Sequence, residues 1–151
     1  MPLQKPAIYT KKSFLANYKN LEKITLFVGK TVQQVGFDED TIYRIQLAID
    51  EACSNIIEHG YGGVTNNLIT CICSYAKGEL SIQLLDQGKT FNPDLIPEPD
   101  LNADLEKRPP GGLGVFFIRQ LMDEVNFTFA NTLDASPETS FNVLTMVIRK
   151  G

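Results

Sequence analysis

Leu47-Ala48-Ile49-Asp50-Glu51-Ala52-Cys53-Ser54-Asn55-Ile56-Ile57-Glu58-His59-Gly60-Tyr61 is the stretch from which the rest of the chain can be read. Together with Ile42 and Ile45 upstream, its Ile49, Ala52 and Ile56 recur at three- and four-residue spacing, the period of a helix with one apolar stripe. The spacing predicts a helix over Glu39–His59, with Asp38 capping its start and Gly60, Gly62 and Gly63 marking its end. Beside the stripe, Glu51, Asn55 and His59 are four residues apart, so a continuous helix sets them along one polar edge. Taken alone, that edge is equally what a solvated helix flank looks like, with His59 favoured by the negative end of the helix dipole.

Upstream, Ala7–Phe14 alternates loosely, as an edge strand does, and Asn17–Val35 carries Leu21, Ile24, Val28, Val32 and Val35 at helical spacing, with Gly36 as its stop. Downstream, Leu68–Ala76 and Glu79–Leu85 read as a β-hairpin turning at Lys77-Gly78, its second strand placing Leu80, Ile82 and Leu84 on one face. Asp86 closes that strand and Gln87-Gly88 leaves it, which puts a carboxylate where the chain turns and where it can accept from an exocyclic amine. From Gly88 to Gly112 the chain holds five of its eight prolines, so no regular element of useful length crosses it, and a connection this long is usually a lid or a binding loop. Gly111-Gly112-Leu113-Gly114 then opens a helix over Leu113–Met122, presenting backbone N–H groups that suit a phosphate. Val125–Ala130 and Phe141–Arg149 read as two closing strands.

A length of 151 residues with 43% apolar and 21% charged residues fits one domain with a substantial core and excludes a wholly disordered chain. A formal charge of −4 leaves no net basic field for nucleic-acid phosphates. No run approaches a membrane span, and Met1–Lys12 lacks an apolar signal core, so the expected location is the cytoplasm, with no membrane partner. Cys53, Cys71 and Cys73 form no C-x-x-C pair and read as small core residues in a reducing compartment. With His59 the only histidine, a histidine-rich metal site is not expected.

In the order helix with Glu51 and Asn55, strand ending in Asp86-x-Gly88, lid-like loop, then Gly112-x-Gly114 opening a helix, these features resemble the GHKL (Bergerat-fold) ATPase superfamily. Within it the chain looks most like the stand-alone bacterial anti-sigma factors that are also serine-protein kinases, a group of histidine-kinase-like ATPases. Leu47–Tyr61 is similar to the family's N box, and Gly112–Val125 to its glycine-box helix and exit. Two positions depart from the pattern: Thr90 stands where many relatives have a second glycine, and Thr139-Ser140-Phe141 replaces the familiar Gly-Thr-Thr.

The resemblance implies a two-layer α/β sandwich, a mixed β-sheet covered on one face by helices, forming a single domain over residues 1–151 with a lid-like loop at about 89–111. It implies ATP and Mg²⁺ as cofactors, with Glu51 as the catalytic base and Asn55 as the metal ligand. His59, Asp86, Gly88, Gly112, Leu113 and Gly114 are expected at the nucleotide, Asp86 on the adenine amine, and Lys107 or Arg108 is a candidate aid to the phosphates. The implied partners are an anti-anti-sigma protein of the STAS type, whose serine is phosphorylated, and a sigma factor that is sequestered, with the chain working as a homodimer. Two other readings are open: a non-catalytic, nucleotide-responsive binding module, and an interaction domain that binds no nucleotide.

Overall fold

The computed structural model describes residues 8–63, 66–89, 112–130 and 140–150. Strand β1 (Ile8–Leu15) leads through a single 3-10 turn into helix α1 (Leu21–Val35) and then helix α2 (Glu39–Asn55). Strands β2 (Leu68–Ala76) and β3 (Glu79–Asp86) form the expected hairpin, in which Lys77 and Gly78 both take positive φ. Helix α3 (Gly112–Leu121) and strands β4 (Glu124–Ala130) and β5 (Phe141–Arg149) complete the described elements.

The five strands make one sheet in the order β1-β2-β3-β5-β4. Every described pairing is antiparallel, so within the expected two-layer α/β class the sheet is not the mixed one the resemblance implies. The reason lies in the connections: β2–β3 is a tight hairpin, and each of the other pairs joins strands that run in from opposite ends. A parallel pair would need a crossover between like ends.

One face of the sheet carries the core. Ile69, Cys71 and Cys73 of β2, Leu80, Ile82 and Leu84 of β3 and Leu144, Met146 and Ile148 of β5 are buried there against Ile24, Val28 and Val32 of α1 and Ile45, Ala48, Ile49 and Ala52 of α2. The period of two in the strands and of 3.6 in the helices meet on this surface. The three cysteines are unbridged and buried, as their place in the apolar pattern requires. Asp38 caps α2 by accepting from the Thr41 N–H at 2.7 Å, and Gly36 ends α1 in the left-handed region that favours glycine.

Helix α2 departs from expectation at its end. The α-helix stops at Asn55, and Ile56–Gly60 form a π turn closed by Tyr61 N–H donating to Ile56 C=O at 2.9 Å. Such a turn contains one more residue than an α-turn, so the four-residue spacing that aligns Glu51 with Asn55 does not carry on to His59.

Ile82 is fully buried in the middle of the central strand. Ile82→Ala should therefore lower stability by about 2–5 kcal/mol, whereas Ser81→Ala on the opposite face should stay within roughly 0.5 kcal/mol. Thermal melts of the two variants beside the parent measure this.

Candidate functional site

Where α2, α3 and the ends of β3 and β5 converge, they enclose a cavity of about 250 Å³. Its walls are largely apolar: Ala52 and Ile56 from α2 and its π turn, Val115 and Ile118 from α3, Phe127 and Phe129 from β4, and Leu144 from β5. Polar groups enter at Asn55, Asp86, Lys89 and Asn142. An apolar slot with a few convergent polar atoms is the usual build of a small-molecule site.

Asp86 is only 6% exposed although it ends a strand. Its Oδ1 accepts twice, from the Gly88 N–H at 2.9 Å and from Asn142 Nδ2 at 3.0 Å. Among the described residues no donor reaches Oδ2. Burial pushes the carboxyl pKa above the ordinary aspartate value, and the two hydrogen bonds hold part of that rise back. Asp86, which lines the cavity, thus keeps one carboxylate oxygen without a donor among the described residues.

The strand exit below it is tightly built. A Cβ on Gly88 would lie 2.6 Å from the Gly60 carbonyl oxygen and 2.9 Å from its Cα, closer than side-chain carbons approach backbone, so only glycine fits. Lys89 N–H donates to the same Gly60 carbonyl at 2.6 Å. The Tyr61 hydroxyl donates to Leu68 C=O at 2.7 Å and accepts from the Gln87 N–H at 2.8 Å, which ties the chain just past Asp86 to the start of β2.

Beside the cavity α3 packs on α2. A Cβ on Gly114 would run into Glu51 Oε1 and lie 2.7 Å from Asn55 Nδ2, so glycine at 114 lets the first turn of α3 rest on those two side chains. Seven residues on, Arg44 Nη2 donates to Leu121 C=O at 2.8 Å and fixes the antiparallel pairing of the helices. Glu51 is partly buried; burial first, and then the negative charges of Asp50 and Glu58, raise its pKa above the ordinary glutamate value.

Of the expected site residues, Asn55 and Asp86 line the cavity, while Glu51 and Gly114 meet beside Asn55 and Gly88 packs on Gly60, which lines it too. His59 does not line it: it follows the π turn outward, its side chain is half exposed and its Nε2 lies 3.9 Å from Glu58. Gly112 and Leu113 open α3 as expected, but their side-chain surroundings, the loop from residue 90 to 111 and the candidates Lys107 and Arg108 lie outside the described residues. Sequence reasoning missed Asn142, the Gly60–Gly88 contact and the Tyr61 tie. Asn142 is directly opposite Asp86 in the β3–β5 register, a signal that becomes visible only once the register is known.

Comparison with known proteins gives a concordant picture. A family model for the histidine kinase-like ATPase domain matches residues 14–148. Serine-protein kinase RsbW of Bacillus mycoides is 31% identical over 106 residues, 68% of this chain and 66% of that protein. The protein of the same name in Bacillus cereus gives the same figures, so the chain spans just under two thirds of the length of these curated relatives. The crystal structure of the RsbU and RsbW domains of a Mycobacterium tuberculosis protein matches with a TM-score of 0.63 at 17% identity, covering 95% of this chain and 32% of that one, a likeness of fold. No helix among the described residues is long and apolar enough to cross a membrane.

The raised pKa of Asp86 has a consequence for stability. A carboxyl that holds its proton more tightly when folded adds stability below its unfolded pKa and loses that contribution as pH rises through the folded value. Asp86→Asn keeps an Oδ1 acceptor and has no charge to bury, so its melting temperature relative to the parent should rise between pH 4 and pH 7. Melts across that range measure the difference; a constant offset would mean that the carboxyl is not perturbed.

Proposed function

The chain belongs to the family of histidine kinase-like ATPase domains, and from that premise we propose that it is a Mg-ATP-dependent serine-protein kinase of the anti-sigma kind. Its substrate is a serine of an anti-anti-sigma protein of the STAS type, and in its other state it holds a sigma factor, working as a homodimer. The observation that carries the nucleotide reading is Asp86, a buried carboxylate that lines an apolar cavity of about 250 Å³ and whose Oδ2 has no donor among the described residues. Adenine supplies an exocyclic amine there. Guanine brings a carbonyl oxygen to the equivalent position and sets acceptor against acceptor.

The opposite end of the cavity fits the phosphates. The first turn of α3 has N–H groups without intrahelical acceptors, and Gly114 brings that turn onto Glu51 and Asn55. Asn55 Oδ1 is the neutral hard oxygen that would hold Mg²⁺. Bound there, Mg²⁺ supplies charge neutralisation for phosphoryl transfer.

Glu51 then has the chemical task. Its carboxylate accepts the proton of the acceptor serine as the serine oxygen bonds to the γ-phosphorus and the bond to the ADP oxygen breaks. A carboxyl whose pKa is raised by burial and by two acidic neighbours is a better base at neutral pH than an ordinary glutamate.

Incubating the chain with radiolabelled Mg-ATP and a STAS-type partner encoded nearby tests the kinase reading. Glu51→Gln should retain nucleotide binding and lower partner phosphorylation by roughly 10²–10⁴. Parent and variant equally silent toward every partner, with Mg-ATP still bound, would instead mark a non-catalytic nucleotide-responsive module. By calorimetry, GTP should bind at least about tenfold more weakly than ATP. Asn55→Ala should weaken binding of Mg-ATP more than of metal-free ATP, and equal weakening would remove the metal role.

A further inference from the structure

We infer that Asn142 is a positioning and specificity-determining residue: it fixes which oxygen of Asp86 faces the base and keeps that oxygen an acceptor, an inference that rests on the adenine reading above. Asn142 Nδ2 donates to Asp86 Oδ1 at 3.0 Å and to the Gly88 carbonyl at 2.9 Å. One amide from β5 thereby holds both the carboxylate and the backbone two residues beyond it.

The terminal torsion of an aspartate is broad and two-fold, so its two oxygens are interchangeable unless something distinguishes them. The Gly88 N–H marks Oδ1 from within the same stretch of chain, two residues on. Asn142 belongs to a neighbouring strand and is directly opposite Asp86, so its hold is referred to the sheet. With Oδ1 taken by two donors, Oδ2 is the oxygen presented to the cavity.

The clamp also sets the charge state. An amide N–H can only donate, so it favours the carboxylate over the acid. The surroundings pull the other way. Burial opposes charge, Cys53 of α2 and Tyr61 beyond the π turn meet Asp86 as neutral groups, and Lys89 is the one cationic residue among the described residues lining the cavity. Were Asp86 to hold its proton, it would offer O–H to the cavity and donate to guanine's carbonyl instead of repelling it. Discrimination between the purines therefore depends on Asn142, which need not touch the base.

The experiment uses the full chain as parent, Asn142→Ala and Asn142→Asp. The second variant keeps the side chain's shape but sets another carboxylate against Oδ1, so that the pair shares a proton. Two quantities are read: the titration of the Asp86 carboxyl by carbon NMR in nucleotide-free protein, and the ratio of ATP to GTP affinity by calorimetry at pH 6 and pH 8. In both variants Asp86 should titrate at higher pH than in the parent, and the ATP preference should fall about tenfold. In N142D the fall should be larger at pH 6 than at pH 8, a dependence that loss of packing alone would not produce. A parent that prefers ATP, with variants that keep both its ratio and its titration, overturns the role of Asn142 alone. A parent without preference for ATP overturns the adenine reading and this inference with it. If N142A does not melt cooperatively, N142D decides.

Discussion

A carboxylate buried at the end of a strand must be held by donors or give up its charge, and much of the architecture around the cavity answers to that constraint at Asp86. β3 delivers the residue to the core face, since Leu80, Ile82 and Leu84 before it are buried on the same side. Having arrived there, its carboxylate needs partners, and the described residues supply them for one oxygen only. Full satisfaction would bring the pKa down and close the site. No satisfaction would leave a neutral acid. The half-satisfied state is the one that leaves a directional acceptor for a ligand, and it persists because a ladder strand and a glycine exit both hold it.

The second constraint is close approach between helices. α2 and α3 run antiparallel with Arg44 anchoring one end, and at the other end the absence of a side chain at Gly114 lets α3 settle on Glu51 and Asn55. That contact partly buries Glu51 and raises its pKa, so the geometry that brings backbone N–H groups to the polar edge is also what makes the glutamate more basic. Position and reactivity have a common cause here, and a larger residue at 114 would disturb both.

Much of this was legible in the residues. The apolar period of α2, the hairpin with its Lys77-Gly78 turn and the placement of Asp86 after an apolar strand are local patterns, and each element formed within a few residues of its expected bounds. Two kinds of feature were not legible. Asn142 is 56 positions from Asp86, and nothing in Ser140-Phe141-Asn142 announces a partner until β3 and β5 are aligned. The π turn is invisible for a different reason: Ile56-Ile57-Glu58-His59 continues the helical period well enough, and the extra residue is enforced by where the chain must go next. The antiparallel sheet belongs to the first kind, since strand direction is set by connections and not by composition.

Where the chain goes after Asn55 explains why the helix changes. Asn55 has to remain on the cavity wall, while five residues later the Gly60 carbonyl has to meet Lys89 N–H and the Cα of Gly60 has to pass against Gly88. A straight α-helix would carry residues 56–60 onward along its own axis. Widening the last turn lets the backbone drop toward the exit of β3, and Tyr61 then locks it there through its bonds to Leu68 and Gln87. The price is His59, which is swung into solvent. The return is that the segments carrying Asp86 and Asn55 share one backbone contact, Gly60 on Gly88, so the distance between the two residues is set by main chain rather than by flexible side chains.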